Sequence, residues 1–256
     1  VGPGGRGRAR PGRLVRHEAV TTRGPLRLEI FPDADAVALH AARLVAAAAR
    51  DAVTARGGFT LAVSGGRTPW ALLRALATED VPWAAVSLFQ VDERVAPEGD
   101  PDRTWTHVRA SLLDRVPLPA AQAHPMDVCD PDLTAAAARY AATLAATAGS
   151  PPALDLVLLG LGDDGHTASL VPGDPVLDVR DADVAATGSY REHRRLTLTF
   201  PALDRARRVL WIVTGPEKAP MLRRLLDADA TIPAGRVRPD RACVLADAAA
   251  ARDVTR

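Results

Sequence analysis

Residues 154–162 read LDLVLLGLG, an almost unbroken apolar run with glycines at 160 and 162. A strand with one wet face alternates polar and apolar residues; a continuous apolar run is what a strand covered by helices on both faces requires. RVLWIVTG at 208–215 has the same character. Two such strands point to a sheet buried in the middle of the molecule.

The rest of the chain supplies the covering layers. LRLEI (26–30), FTLAV (59–63), VSLFQV (86–91) and CVLAD (243–247) read as further strands, and RLTLTF (195–200) alternates polar and apolar residues. Between them lie helical patterns. Asp33 can cap a long Ala-rich helix with Val37, Ala41, Leu44, Val45, Ala48 and Ala52 on one face, ended by Gly57 and Gly58. Further helices are expected over 69–77, 105–113, from Asp132 to 148, and over 216–226. This β-then-α alternation predicts an α/β fold: an open, mainly parallel, Rossmann-like sheet with helices on both faces in a single domain, residues 26–256. In such folds ligands sit beyond the carboxyl ends of the strands, so the chemistry is sought in the segments that follow them.

Composition narrows the classes. Aromatics make up only 4% of the chain, so the core must be built from Ala, Val and Leu. Thirty-two Lys and Arg against 31 Asp and Glu leave a net charge of +1, which gives no signal for nucleic acid or an acidic membrane surface. No apolar run approaches the roughly 20 residues of a membrane span. Two cysteines, Cys129 and Cys243, make no disulfide framework and fit a reducing, cytoplasmic setting. Residues 1–25, rich in Gly, Pro and Arg, read as a disordered extension in preference to a polyanion-binding tail.

Four segments after strands carry candidate chemistry. SGGRTP (64–69) offers a glycine turn, with Thr68 as a helix cap and Pro69 at the first helical position; this is either an anion site or a tight turn alone. FQVDERVAP (89–97) puts Asp92, Glu93 and Arg94 at a buried strand's end, where a structural ion network is the competing reading. In LGLGDDGHTASLVPG (159–173), His166 is placed to act as a general base, with Asp163 or Asp164 to orient it. Two adjacent aspartates and one histidine do not match a closed zinc spacing, so no metal is expected. The last group is basic: Arg194, Arg195 and Lys218. Lys218 sits in the first turn of its helix, where a cation is unfavourable unless an anion is shared with it.

Taken in order, these segments resemble the 6-phosphogluconolactonase family, with its SGGxTP loop, DER segment, GxGxDGHTASLFPG loop, RITLT strand and GxxKA turn. The resemblance runs from about Leu26 to about Ala249. It implies hydrolysis of 6-phospho-D-glucono-1,5-lactone in the oxidative pentose phosphate pathway, with no metal or organic cofactor. His166 falls on the catalytic base and Asp164 on its orienting carboxylate. Gly65, Gly66 and Thr68 fall on the phosphate loop with Lys218 as phosphate ligand. Asp92 and Arg94 fall on substrate-binding positions, as does Arg195, unless a one-residue shift selects Arg194. The expected partner is a phosphorylated sugar lactone and not nucleic acid or membrane, with a monomer favoured. Glucosamine-6-phosphate deaminases and isomerases share the fold but read DEY where this chain has Arg94. A non-catalytic sugar-phosphate sensor is the third reading. Three positions depart from the family pattern: Arg103 and Thr104 where an Asn is usual, Val171 for Phe, and SYREHR (189–194) for a Pro-rich stretch.

Overall fold

The computed structural model describes residues 19–23 and 26–254. The chain begins with β1 (Ala19–Arg23), β2 (Leu26–Phe31), α1 (Ala34–Arg56), β3 (Phe59–Val63) and α2 (Arg67–Leu76). It continues through β4 (Val86–Gln90), β5 (Asp92–Arg94), α3 (Thr104–Ser111), β6 (Ala123–His124) and α4 (Leu133–Ala148). The second half holds β7 (Leu156–Gly160), β8 (Val184–Ala186), β9 (Arg195–Leu198), α5 (Phe200–Asp204), β10 (Val209–Val213), α6 (Ala219–Leu226) and β11 (Ala242–Asp247).

Eight of these strands form the main sheet in the order β1-β2-β11-β10-β7-β3-β4-β6. From β2 to β6 every pairing is parallel, and β1 joins the β2 edge antiparallel. Strand alternation divides the core in two. Leu61, Leu156, Leu158, Leu210 and Ile212 face one side, where α1 and α2 pack; Ala62, Val157, Leu159, Trp211 and Val213 face the other, with α4 and α6. Both faces are dry, which is why these strands read as continuous apolar runs. After β3 the chain steps outward to β4 and β6; after β7 it steps the opposite way to β10 and β11. The connections therefore part between β3 and β7, and this switch point opens a crevice beyond their carboxyl ends.

Local signals explain the helix ends. The Asp33 side chain accepts from the Ala36 amide at 2.8 Å, and Gly57 closes α1 in the left-handed conformation at φ 78°. Asp132 caps α4 through the Thr134 and Ala135 amides, both at 3.0 Å. The face of α1 differs from expectation: Leu44 is 36% exposed, and burial falls on the smaller Ala38, Ala42, Ala46 and Ala49. Alanines let α1 lie close to the sheet, leaving the bulkier leucine to the rim.

Three further features depart from the sequence reading. Ala19–Arg23 lies inside the stretch expected to be disordered, yet it pairs with β2 from Ala19↔Ile30 to Arg23↔Leu26. The remainder of residues 1–25 falls outside the described residues. Second, β5, β9 and β8 form a separate antiparallel sheet, with β9 in the middle. The partners of the alternating β9 were not foreseen, because β5 and β8 have three residues each and carry no readable period. Third, Thr68 is not the cap of α2. Gly66 takes that position with φ 121°, so Thr68 lies within the first turn and Pro69 at its third residue.

Candidate active site

The switch-point crevice is a cavity of about 340 Å³, walled by the loops after β3, β7 and β10 and by β5 and β9 of the small sheet. Every site residue expected from sequence other than Asp164 and Arg194 lines it: Gly65, Gly66, Thr68, Asp92, Arg94, His166, Arg195 and Lys218. Asp164 stands directly behind His166. Arg194 is exposed and turned away.

The loop after β7 is built around the imidazole. Gly162 receives the ring where a side chain would be, since a Cβ there would lie 2.1 Å from His166 Nδ1. Gly165 turns at φ 84° against Ile232, whose Cβ would be 2.7 Å from an added methyl. The Gly162 amide donates to the His166 carbonyl at 2.8 Å and closes the loop. Within it, Asp164 Oδ1 accepts from the His166 amide at 3.0 Å and lies 2.5 Å from His166 Nδ1. Asp164 Oδ2 accepts from the Tyr190 hydroxyl at 2.9 Å. Burial pushes the Asp164 carboxyl up, but the His166 amide, the imidazole's charge and Tyr190 outweigh it and hold the group at about 2. A permanent carboxylate at Nδ1 keeps the proton there, so in the neutral ring Nε2 carries the free lone pair.

The loop after β3 presents the start of α2. A Cβ on Gly65 would stand 2.8 Å from Thr104 Oγ1, so only glycine lets the turn pass α3. The Thr68 hydroxyl meets that of Thr214 at 2.5 Å, tying this loop to the one after β10. There Gly215 turns at φ 99°, and its amide is held by both carboxylate oxygens of buried Asp247, each at 3.1 Å. This anchor sets the short turn Pro216–Lys218. Lys218 is half-buried on the cavity wall and has no carboxylate within ion-pair distance among the described residues. The start of α2 and the Lys218 ammonium group line the same cavity, and backbone amides at a helix start together with a cation are chemistry suited to an anion.

The DER segment splits by strand alternation. Asp92 and Arg94 face the cavity, while Glu93 points inward and is fully buried. Glu93 accepts from the Thr104 and Trp105 amides, both at 2.8 Å, and so caps α3. Gln90 Nε2 and the Arg94 amide also donate to it at 2.8 Å, and the buried Arg103 guanidinium is its ion-pair partner at 3.7 Å. Asp92 Oδ2 accepts from Ser169 Oγ at 2.5 Å, and Arg94 donates to the Asp102 carbonyl at 2.9 Å. Arg195 is 6% exposed and stacks its guanidinium 5.0 Å over Tyr190; burial pushes it down while Asp92 pulls it up. Of the two residues at the usual Asn position, Thr104 lines the cavity, whereas Arg103 turns away toward the Met126 carbonyl and Cys129.

Tyr190, Ser169 and Asp247 were not foreseen. Each acts through a partner distant in sequence, and no local pattern marks it. Asp163, Asp164 and His166 do bring ligand-type atoms within 4.8 Å of one another. However, Asp164 Oδ1 and His166 Nδ1 are spent on each other, and Asp163 pairs with Arg191 at 3.0 Å. The arrangement is that of a hydrogen-bonded relay more than of a cation cage.

Comparison with known proteins places the chain among relatives of one family. The model of the family described as glucosamine-6-phosphate isomerases/6-phosphogluconolactonase matches residues 32–246. A 6-phosphogluconolactonase of Mycobacterium tuberculosis is 42% identical over 203 residues, covering 75% of this chain and 82% of that one. A 6-phosphogluconolactonase of a Nostoc species is 34% identical over 236 residues, 89% of this chain and 98% of its own. Among solved structures, the 6-phosphogluconolactonase of Thermotoga maritima superposes with a TM-score of 0.76 at 26% identity, over 86% of this chain and 98% of that one.

Proposed function

The chain belongs to the family of glucosamine-6-phosphate isomerases and 6-phosphogluconolactonases, and from that premise we infer that it is a lactonase of the pentose phosphate pathway, hydrolysing 6-phospho-D-glucono-1,5-lactone to 6-phospho-D-gluconate. The observation that carries the mechanism is the His166–Asp164 pair beside a cavity that also holds an anion-binding helix start.

In this reading the phosphate rests on the amides at the start of α2, with Lys218 as its counter-charge and Thr68 bracing the loop. That anchor sets the lactone carbonyl near His166. Nε2 takes a proton from water as the water oxygen bonds to C1, and negative charge moves to the carbonyl oxygen. Arg94 and Arg195 are the cations available to that oxygen or to the sugar hydroxyls, with Asp92 accepting from a hydroxyl. Collapse of the tetrahedral centre breaks the bond to the ring oxygen, which recovers the proton from the imidazolium. Asp164 holds the ring and its charge throughout. The residues from Leu26 onward, with β1 attached, form the catalytic unit, and since one chain supplies the whole cavity we read a monomer as sufficient. No helix of the described residues is long and apolar enough to cross a membrane, and two free cysteines favour a cytoplasmic enzyme.

The isomerase branch is tested alongside. Freshly prepared phosphogluconolactone is followed by proton release, with spontaneous opening subtracted, while glucosamine 6-phosphate is assayed for ammonia. Turnover of the first and none of the second is expected. The reverse result would move the chain to the other branch.

A further inference from the structure

The segment between β8 and β9 carries strain. Arg191 and Glu192 are consecutive non-glycine residues at φ 47° and 70°. They form the two-residue tip of a tight hairpin, in which the Tyr190 amide donates to the His193 carbonyl at 3.0 Å and the His193 amide returns a bond at 3.3 Å. Such a turn needs positive φ at both central positions and normally uses Asn and Gly. Side chains that hold the strained conformation must therefore be fixed elsewhere.

They are fixed on both sides of the site. Toward the β7 loop, Arg191 pairs with Asp163 at 3.0 Å and Tyr190 donates to Asp164 at 2.9 Å. Toward the DER segment, the His193 ring meets the Val95 carbonyl at 3.1 Å and Asp102 at 3.2 Å, and Asp102's carbonyl holds Arg94. Tyr190 is the centre of this clasp: its ring lies edge-on to His166, centroids 5.6 Å apart, and carries Arg195 at 5.0 Å. Burial and the charge of Asp164 push its phenol up, so it remains a donor.

We propose that Tyr190 is a positioning residue, the outer member of a Tyr190–Asp164–His166 relay, whose hydroxyl fixes the carboxylate that aims the imidazole. The proposal rests on the lactonase reading for its kinetic consequence alone. Asp164 has two oxygens; one serves His166 and the other would be free to rotate toward solvent if Tyr190 did not occupy it.

The test uses Tyr190→Phe in the full chain, which keeps the ring and removes one oxygen. Loss of a bond to a charged group predicts a fall in kcat of about tenfold with KM changed less than about twofold. Without the phenol, more of the Asp164 charge falls on the imidazole, so the His166 titration followed by NMR should move upward, and the acid limb of kcat with it. The other charged groups facing the ring's surroundings, Asp163, Arg191, Arg195 and Lys218, are unaltered in this variant. A double-mutant cycle with Asp164→Asn completes the test: once Asp164 is gone, Tyr190→Phe should cost almost nothing more. Parental kcat with an unmoved His166 titration, or full additivity with Asp164→Asn, would overturn the proposal. If the parent fails to hydrolyse the lactone, the substrate reading falls, and the NMR titration in the same two proteins still decides the role of Tyr190.

Discussion

Gly162 shows how closely the backbone is shaped to one side chain, because the imidazole of His166 occupies the space a methyl group would fill. Gly162→Ala should therefore fold but displace the ring, lowering kcat by at least about 100-fold, as loss of a positioned base does. Steady-state kinetics beside a thermal melt checks this. The pair also sets the response to pH. Asp164 lies at about 2, below its ordinary 3.8, so its contribution to stability is complete above about pH 4 and is lost only as pH falls through about 2. It stays charged over the working range. The Asp164→Asn variant, which lacks that charge at every pH, should therefore lose activity across the whole range, as a pH series of kcat/KM would show. At this scale the sequence was informative where a residue's role depends on its neighbours in the chain: His166 and Asp164 share one loop. It was silent on Tyr190 and Ser169, whose partners lie 26 and 77 residues away.

Short elements place the site residues. Strand β5 has three residues, and its alternation sends Asp92 and Arg94 outward and Glu93 inward to cap α3. Glu93→Gln keeps the shape but removes the charge facing two helix amides and leaves an amide donor buried without an acceptor. A loss of about 2–4 kcal/mol in urea unfolding is expected, with KM raised as Thr104 and Arg94 loosen. A structural ion network was the competing reading of this segment, and Glu93 fits it through its buried pair with Arg103 at 3.7 Å. β1 belongs to the same scale. A chain lacking residues 1–24 exposes the unpaired edge of β2. Its melting point should fall by a few degrees, about 2–4 °C per kcal/mol for a chain of this size, with turnover at 25 °C preserved because three strands separate β1 from β7. Equal melting points would show the edge strand to be dispensable. The inner strands of the main sheet were legible because burial on both faces leaves a long apolar run; β1, β5, β6 and β8 were not, since an edge or a two- or three-residue strand leaves no such mark.

Over the whole molecule, the parting of connections between β3 and β7 converts an ordinary α/β sandwich into a site. It brings the SGGRTP loop from the first half beside the DDGH loop from the second, and β10 adds Lys218. The segments following the strands could be read as candidate chemistry one by one, but their convergence depends on strand order, which no local pattern encodes. The small antiparallel sheet then closes the crevice from the side with Asp92, Arg94 and Arg195. In the proposed mechanism this arrangement turns Nε2 of His166 toward water beside a lactone anchored by its phosphate. The direct test is the turnover of fresh 6-phosphogluconolactone by the parent and by His166→Asn, with binding of 6-phosphogluconate measured in both by calorimetry. The account predicts that His166→Asn binds the product within about threefold of the parent yet loses at least about 100-fold in kcat. A folded His166→Asn protein with near-parental kcat would contradict it.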